Sequence, residues 1–113
     1  PFVVDAQRCL AFHTIENRDP DLPDSIKTSL GPWIAGCDIC QDVCPWNHRD
    51  LPSSEDPDMQ PRPWLLNVNA QDLQNWDDAT WDQQLRGSAL RRIKPWMWRR
   101  NAAAAQPELP PNL

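Results

Sequence analysis

The sequence contains no tyrosine, only three glycines and two phenylalanines, and no run of 18 apolar residues. Without such a run, no segment has the length and apolarity of a membrane-spanning helix. Leu, Ile, Val and Phe supply only 22 of the 113 residues, although seven tryptophans add large apolar side chains. Thirteen prolines disfavour long helices. These features predict one small, loop-rich domain with short helices.

The first five residues lack a basic n-region and a long apolar h-region, so we do not expect them to form a secretory signal. The sequence begins at Pro1 without methionine. We therefore interpret it as an N-terminally truncated part of a longer protein. Its charge is unevenly distributed. Residues 1–84 carry 5 basic and 15 acidic side chains, whereas residues 85–113 carry 6 basic and 1 acidic side chain. The basic segment indicates either contact with an anion or an ordinary solvated helix face.

Turn-forming and capping residues divide the chain into short elements. An apolar stretch predicts a short strand at residues 2–4. Short helices are predicted at residues 9–16, 24–30, 70–76, 81–86, 89–94 and 96–105. Asn69 and Asp72 have the spacing of a capping box, and Thr80 and Ser88 are the expected caps of the next two helices. One apolar stripe is predicted along the last two helices, formed by Leu90, Ile93, Met97 and Ala104.

Four cysteines are the most informative feature, and three of them form the run C-D-I-C-Q-D-V-C-P. This spacing matches the end of the bacterial ferredoxin run C-x2-C-x2-C-x3-C-P, whose last cysteine ligates the other [4Fe–4S] cluster. The first cysteine is separated from the run by 27 residues, and a loop could return it to the cluster. The pattern predicts Cys9, Cys37 and Cys40 as ligands of one cluster and Cys44 as a ligand of the second. We expect the four missing thiolates in one complete run just upstream.

The same cysteines allow three other interpretations. A zinc site with four thiolate ligands is possible because C-x2-C is a common zinc half-site, although Cys9 would stand alone. A disulfide framework would have to pair three cysteines that lie within eight residues. A redox C-x-x-C motif would leave Cys44 and Pro45 unexplained. The iron–sulfur interpretation is preferred because it accounts for all four cysteines and for the proline.

Three segments resemble one known family. They read D-A-Q-R-C-L-A-F-H-T-I-E at residues 5–16, G-P-W-I-A-G-C-D-I-C-Q-D-V-C-P-W-N at residues 31–47 and L-R-G-S-A-L-R-R-I-K-P-W-M-W-R-R-N-A-A at residues 85–103. In this order they resemble the C-terminal part of bacterial epoxyqueuosine reductase. The departures are A-F-H at residues 11–13, where that family usually has S-Y-L, and P-W-M-W at residues 95–98 in place of a more basic stretch.

The resemblance implies an activity for the longer protein. The family reduces epoxyqueuosine to queuosine at the wobble position of tRNA anticodons, and it uses cobalamin and two [4Fe–4S] clusters that pass electrons to the cobalt. A carboxylic general acid is expected in an upstream cobalamin-binding domain, so this segment alone should not catalyse the reaction. By position in the family motifs, the cysteines keep the ligand roles given above, and Thr14 and Asp38 would contact cobalamin. Contact with tRNA is implied for Glu16, Arg91, Arg92 and Arg99.

The predicted fold is mainly α with little β, comprising part of a ferredoxin-like double [4Fe–4S] domain followed by short helices. The expected divisions are the second half of the cluster domain, a Pro/Asp-rich linker, a short-helix region and a mobile tail, at residues 1–49, 50–63, 64–105 and 106–113. The expected partners are the tRNA anticodon stem-loop and a low-potential electron donor. We expect a cytoplasmic monomer that does not contact membranes.

Three rival functions remain open at this point. A plain two-cluster electron carrier would not need the helical extension that follows the cysteines. A reductive dehalogenase-like protein also joins cobalamin to two clusters, but it would be expected as an exported precursor. A zinc-stabilised RNA-binding module would contain zinc and no sulfide.

Overall fold

A computed structural model of the chain describes residues 3–47 and 52–107. All regular structure in these two ranges is helical, which confirms the mainly α prediction. The α-helices within them are α1 Asp24–Ser29, α2 Ile39–Asp42, α3 Ala70–Gln74, α4 Asp78–Leu85 and α5 Pro95–Ala104. Shorter 3₁₀ turns cover Ala6–Arg8, Pro57–Met59, Pro63–Leu66 and Ala89–Arg92, and a wider π turn covers Phe12–Glu16. None of the helices in the described ranges is long and apolar enough to cross a membrane.

The short strand predicted at residues 2–4 is wrong where the structure describes it. Val3 and Val4 have irregular backbone, and their side chains are 89% and 85% exposed. Residue 2 lies outside the described residues. A strand needs a neighbour to pair its backbone N–H and C=O groups, and the described part of the chain contains no strand. The two valines alone therefore do not make this segment a strand.

Capping residues decide where α3 and α4 begin. Asn69 Oδ1 accepts a hydrogen bond from the Asp72 amide at 2.9 Å, and Asp72 Oδ2 accepts one from the Asn69 amide at 3.1 Å. This reciprocal pair is the predicted capping box. The prediction that Thr80 caps the next helix is wrong, because the Asp77 carboxylate accepts the Thr80 amide at 2.7 Å. Helix α4 therefore begins at Asp78, before the predicted start.

Pro95 separates the last two elements. Ser88 Oγ accepts a hydrogen bond from the Leu90 amide at 3.2 Å and caps one 3₁₀ turn, Ala89–Arg92, instead of the helix predicted at residues 89–94. The residue before a proline is pushed toward extended backbone, and Lys94 has φ −71° and ψ 159°. The turn ends before this residue. Pro95 then occupies the start of α5, where no intrahelical N–H bond is lost.

Two clusters of buried apolar side chains stabilise the described chain. The N-terminal core consists of Leu10, Leu22, Ile26 and Leu30. The C-terminal core consists of Leu73, Leu85, Ile93, Met97, Trp98 and Ala102. Helix α5 contacts both, since Met97 is fully buried in the C-terminal core and Ala104 packs against the N-terminal core. The predicted apolar stripe is therefore divided between the two cores, and α5 holds them together.

The predicted linker and tail are partly anchored. Residues 52–61 are exposed, but Arg62 donates to the Gln84 carbonyl at 2.9 Å and to the Arg86 carbonyl at 3.0 Å, which fixes the end of the linker beside α4. In the tail, the Gln106 amide donates to the Gly31 carbonyl at 2.8 Å. Residues 48–51 and 108–113 lie outside the described residues. The four domain boundaries and the mobility of the tail stay predictions.

Candidate metal centre

The four cysteines lie in or beside short helical elements. Cys9 directly follows the Ala6–Arg8 turn. Cys37 lies two residues before α2, Cys40 lies within α2, and Cys44 lies shortly after it. All four lie within the described residues, and none is in a disulfide; Cys40 is exposed and the other three are half-buried. The disulfide interpretation of the sequence is therefore not supported.

The Cys37 thiol is affected electrostatically by two other cysteines. Burial raises the pKa of the Cys37 thiol, a hydrogen bond from the Ile39 amide opposes this, and the charges of Cys40, Cys9 and Asp38 raise the pKa further. Charges act on a surface group in this way only over short distances. Cys9 therefore lies within electrostatic reach of Cys37 despite the 27 residues between them. That a loop returns Cys9 to the same cluster stays a prediction.

The surroundings of these thiols fit a cluster of several iron atoms. Cys37 packs with Trp33 and Ile39 against the N-terminal core, which gives one side of the site an apolar wall. Within residues 3–47 and 52–107, no three His, Cys, Asp or Glu side chains meet closely enough to hold a single metal ion. Thiolates around a [4Fe–4S] cluster bind separate iron atoms and need not meet at one point. The apolar wall beside Cys37 would tune the potential of a cluster bound there.

Thr14 and Gly36 join the two cysteine-bearing segments. The fully buried Thr14 hydroxyl donates to the Leu10 carbonyl at 3.0 Å and accepts a hydrogen bond from the Gly36 amide at 3.1 Å. Gly36 has φ +83°, a left-handed conformation that other residues rarely adopt. Cys37 follows immediately. The hydrogen bond therefore sets the path by which the chain enters the cysteine run.

Known proteins have sequences similar to that of this chain. A family model described as a 4Fe-4S double cluster binding domain matches residues 1–47. Over all of its 113 residues, the chain is 75% identical to the epoxyqueuosine reductase of Synechococcus sp. (strain CC9605), and it covers 35% of that protein. It is 60% identical to the epoxyqueuosine reductase of Prochlorococcus marinus (strain NATL2A) over 89% of its length, covering 32% of that relative. Throughout its length, this chain is similar to one part of these epoxyqueuosine reductases.

A more distant member of the epoxyqueuosine reductase family, from Vibrio cholerae serotype O1 (strain ATCC 39315 / El Tor Inaba N16961), is 42% identical over 96% of the chain, which covers 29% of it. The chain spans about a third of the length of the curated relatives it matches. No solved structure matches it significantly. The double-cluster match supports two [4Fe–4S] clusters as the cofactors.

The two residues expected at the cobalamin of an epoxyqueuosine reductase lie in different environments. The Thr14 hydroxyl is fully buried, and its donor and acceptor roles are both filled within the chain, so it does not fit a direct contact with a bound corrin. Asp38 is exposed beside Cys37, and its side chain makes no capping hydrogen bond to α2. Its carboxylate fits a contact with a polar group of the cofactor. Both assignments stay predictions.

The residues expected at tRNA have partners within the chain. Glu16 and Arg92 form a surface ion pair with each other. Arg91 donates to Asp82 Oδ1 at 2.7 Å. Arg99 donates to a main-chain carbonyl just before α4 at 2.9 Å. In the structure these side chains connect separate segments of the chain. Their contact with tRNA stays a prediction.

Sequence reasoning missed Asn101 as a residue of the site. Asn101 is fully buried on α5, and it donates to the main-chain carbonyls of Thr14 and Ile34. A signal was present, because Asn101 follows Met97 by one helical turn and so falls on the apolar face of the helix. A polar side chain in such a face must have hydrogen-bond partners. The sequence does not name those partners, because they are backbone groups far away along the chain.

Proposed function

We propose that the protein containing this chain reduces epoxyqueuosine to queuosine at the wobble position of tRNA anticodons. The observation that carries the proposal is the match of residues 1–47, which contain all four cysteines, to the double-cluster domain. A relative that is 75% identical is named epoxyqueuosine reductase. Reduction of an epoxide needs electrons of low potential, and [4Fe–4S] clusters can supply them.

The contribution of this chain is to hold and partly shield the redox centres. Cys9, Cys37 and Cys40 would ligate one [4Fe–4S] cluster, and Cys44 would ligate the second. Such clusters supply single electrons at potentials set by burial and by hydrogen bonds to sulfur. Gln41 Nε2 lies 3.8 Å from Cys40 Sγ, within reach of a weak hydrogen bond of this kind. Two clusters take about eight thiolates, so we expect four further ligands from the rest of the protein.

Cobalamin, bound mainly by the rest of the protein, would supply the reactive metal at the epoxide-bearing ring. Within this chain we propose Asp38 as a contact to the cofactor, because its carboxylate is exposed close to the Cys37 thiol. Thr14 would act indirectly. Its hydroxyl holds the Gly36 amide and therefore the start of the cysteine run.

The anticodon stem-loop of tRNA would contact the basic C-terminal region. Arg91, Arg92 and Arg99 have internal partners, but their side chains remain 37%, 63% and 39% exposed. A guanidinium group has five N–H donors, so one that holds an internal partner can still meet a phosphate. A low-potential electron donor would be the second partner. The proposed protein acts as a monomer in the cytoplasm.

Conversion of a defined tRNA by the whole protein tests the proposed function. The anaerobically prepared protein, with cobalamin and a low-potential reductant, should convert tRNA that contains epoxyqueuosine into tRNA that contains queuosine. Cys37→Ala should abolish conversion, whereas Ser25→Ala, at an exposed position of α1, is the matched control. Wild-type protein that carries both clusters and reduces a dye, but leaves the tRNA unchanged, would contradict the proposal in favour of a simple electron carrier.

A further inference from the structure

Asn101 is a fully buried polar side chain in the apolar face of α5. Its helix neighbours Met97 and Trp98 belong to the C-terminal core. Its Nδ2 donates to the Thr14 carbonyl at 2.8 Å and to the Ile34 carbonyl at 2.9 Å. An amide nitrogen carries two hydrogens, so both are used.

The amide oxygen of Asn101 is used as well. Arg100 Nε and Nη2 donate to Asn101 Oδ1 at 3.0 Å and 2.9 Å. The amide therefore makes as many hydrogen bonds as it has donor hydrogens and acceptor lone pairs. A leucine would fill a similar volume without these bonds, and an aspartate would place an acceptor where both carbonyls need a donor. The hydrogen-bonding chemistry of this residue, and not only its size, matches the site.

The two carbonyls that Asn101 binds belong to the two cysteine-bearing segments. Thr14 follows Cys9 by five residues, and Ile34 precedes Cys37 by three. The Thr14 hydroxyl also accepts a hydrogen bond from the amide of the residue just before Cys37, at 3.1 Å. One side chain of α5 therefore fixes the spacing between the segment after Cys9 and the segment before Cys37.

Arg100 strengthens the attachment of the first segment. Its Nη2 donates to the His13 carbonyl at 2.9 Å, and its Nη1 donates to the carbonyls of Asn17 and Asp19 at 3.0 Å and 2.6 Å. These carbonyls belong to the stretch that follows Cys9, so this stretch is bound to α5 along its length. Of the two neighbouring side chains, Asn101 is the one that reaches both cysteine-bearing segments.

We propose that Asn101 is a positioning residue for the [4Fe–4S] cluster held by Cys9, Cys37 and Cys40. The inference rests on the proposed function, since it takes these thiols to be cluster ligands. Residues that hold metal ligands in place contribute to metal affinity without touching the metal. Removal of the two Asn101 donors frees the segments to move apart, although every thiol remains. The second cluster, which Cys44 ligates together with the rest of the protein, does not depend on this contact.

Iron release and EPR spectra of the loaded whole protein test the inference, in variants that carry Asn101→Ala, Thr14→Val or Leu85→Ala. We expect Asn101→Ala to release the iron of one cluster to a chelator about 10- to 100-fold faster and to change the EPR signal of that cluster only. Thr14→Val, which removes the hydroxyl but keeps the shape, should have the same effect in weaker form. Leu85→Ala alters an apolar residue of the same core, so it should lower the thermal midpoint and leave both EPR signals unchanged.

Three results would overturn the inference. In the first, Asn101→Ala loses stability as Leu85→Ala does but keeps wild-type iron release and EPR signals, which would reduce Asn101 to a packing residue. The second result applies if Asn101→Ala does not fold, because Thr14→Val then serves as the test. Unchanged iron release and EPR spectra in Thr14→Val would overturn the inference. In the third, the wild-type protein binds neither iron nor sulfide, which would refute the proposed function and this inference together.

Discussion

Arg92 Nη2 donates to Glu16 Oε2 at 2.8 Å across 76 residues of sequence, and Arg92 Nε donates to Glu16 Oε1. This bidentate pair joins the segment that follows Cys9 to the turn that precedes α5. The resemblance of the sequence implied that each residue separately contacts tRNA. Glu16 occupies the Nε–Nη2 edge of Arg92, so Glu16 and a tRNA phosphate would compete for bidentate binding at that edge, while the other N–H donors stay available.

Competition for Arg92 predicts opposite effects of two substitutions on tRNA binding by the whole protein. Glu16→Gln should strengthen binding, because it frees Arg92 for a phosphate. Arg92→Gln should weaken binding and reduce the slope of log affinity against log salt concentration by about one. Fluorescence anisotropy at several salt concentrations measures both effects. Glu55→Gln removes the same charge from the exposed segment and is the control; unchanged affinity in both test variants would exclude the pair from the tRNA interface.

The same ion pair predicts a pH-dependent contribution to stability. Hydrogen bonds from Arg92 lower the pKa of Glu16 from its ordinary value of 4.5. A lowered pKa in the folded state contributes stability that is fully present above the ordinary value and is lost as the pH falls through the lowered one. Thermal unfolding of the iron-free chain should therefore show a small advantage of wild type over Glu16→Gln at pH 7, which shrinks as the solution is made more acidic than pH 4.5. A difference that stays constant across this range would contradict the account.

The capping box at the start of α3 predicts a measurable loss of stability on its removal. Asn69→Ala deletes the side-chain acceptor for the Asp72 amide and should cost about 1 kcal/mol in the free energy of unfolding. Urea unfolding of the chain measures this cost. Gln71→Ala, at an exposed position inside the same helix, is the matched control and should have little effect. Equal unfolding midpoints for the two variants would mean that the box does not stabilise α3.

The N-terminal core predicts a larger effect at Leu30. Its side chain is fully buried, and it belongs to the core against which Cys37 packs. Leu30→Ala should lower the free energy of unfolding by about 2–5 kcal/mol, because it removes apolar contacts and leaves a cavity. Leu66→Ala provides the comparison, since Leu66 is 69% exposed. A loss at Leu30 no greater than at Leu66 would show that this core does not stabilise the cysteine-bearing segments.

Local rules predicted most of the helices. The α3 capping box is a short-range pattern, so Asn69 and Asp72 predict it from the sequence alone. The start of α4 was misplaced because both Asp77 and Thr80 could serve as its cap. In the structure the Asp77 carboxylate accepts a hydrogen bond from the Thr80 amide, so Asp77 is the cap. The short strand failed because strands depend on a pairing partner elsewhere in the chain.

Long-range polar contacts could not be predicted in the same way. Asn101 and Arg100 bind backbone carbonyls of residues more than 60 positions earlier. Every residue has such a carbonyl, so no side-chain pattern identifies the partner. The Glu16–Arg92 pair could not be predicted for a related reason. Opposite charges on distant surface segments pair only after the two cores have brought the segments together.

The central claim is that the four cysteines of this chain serve two [4Fe–4S] clusters, three on one and Cys44 on the other. Iron and sulfide analysis with EPR spectroscopy of the anaerobically prepared whole protein tests it most directly. We predict about eight irons and eight sulfides per protein, with Cys37→Ala removing the EPR signal of one cluster and Cys44→Ala affecting the other. About one zinc per protein without sulfide, or loss of the same EPR signal in both variants, would contradict the claim.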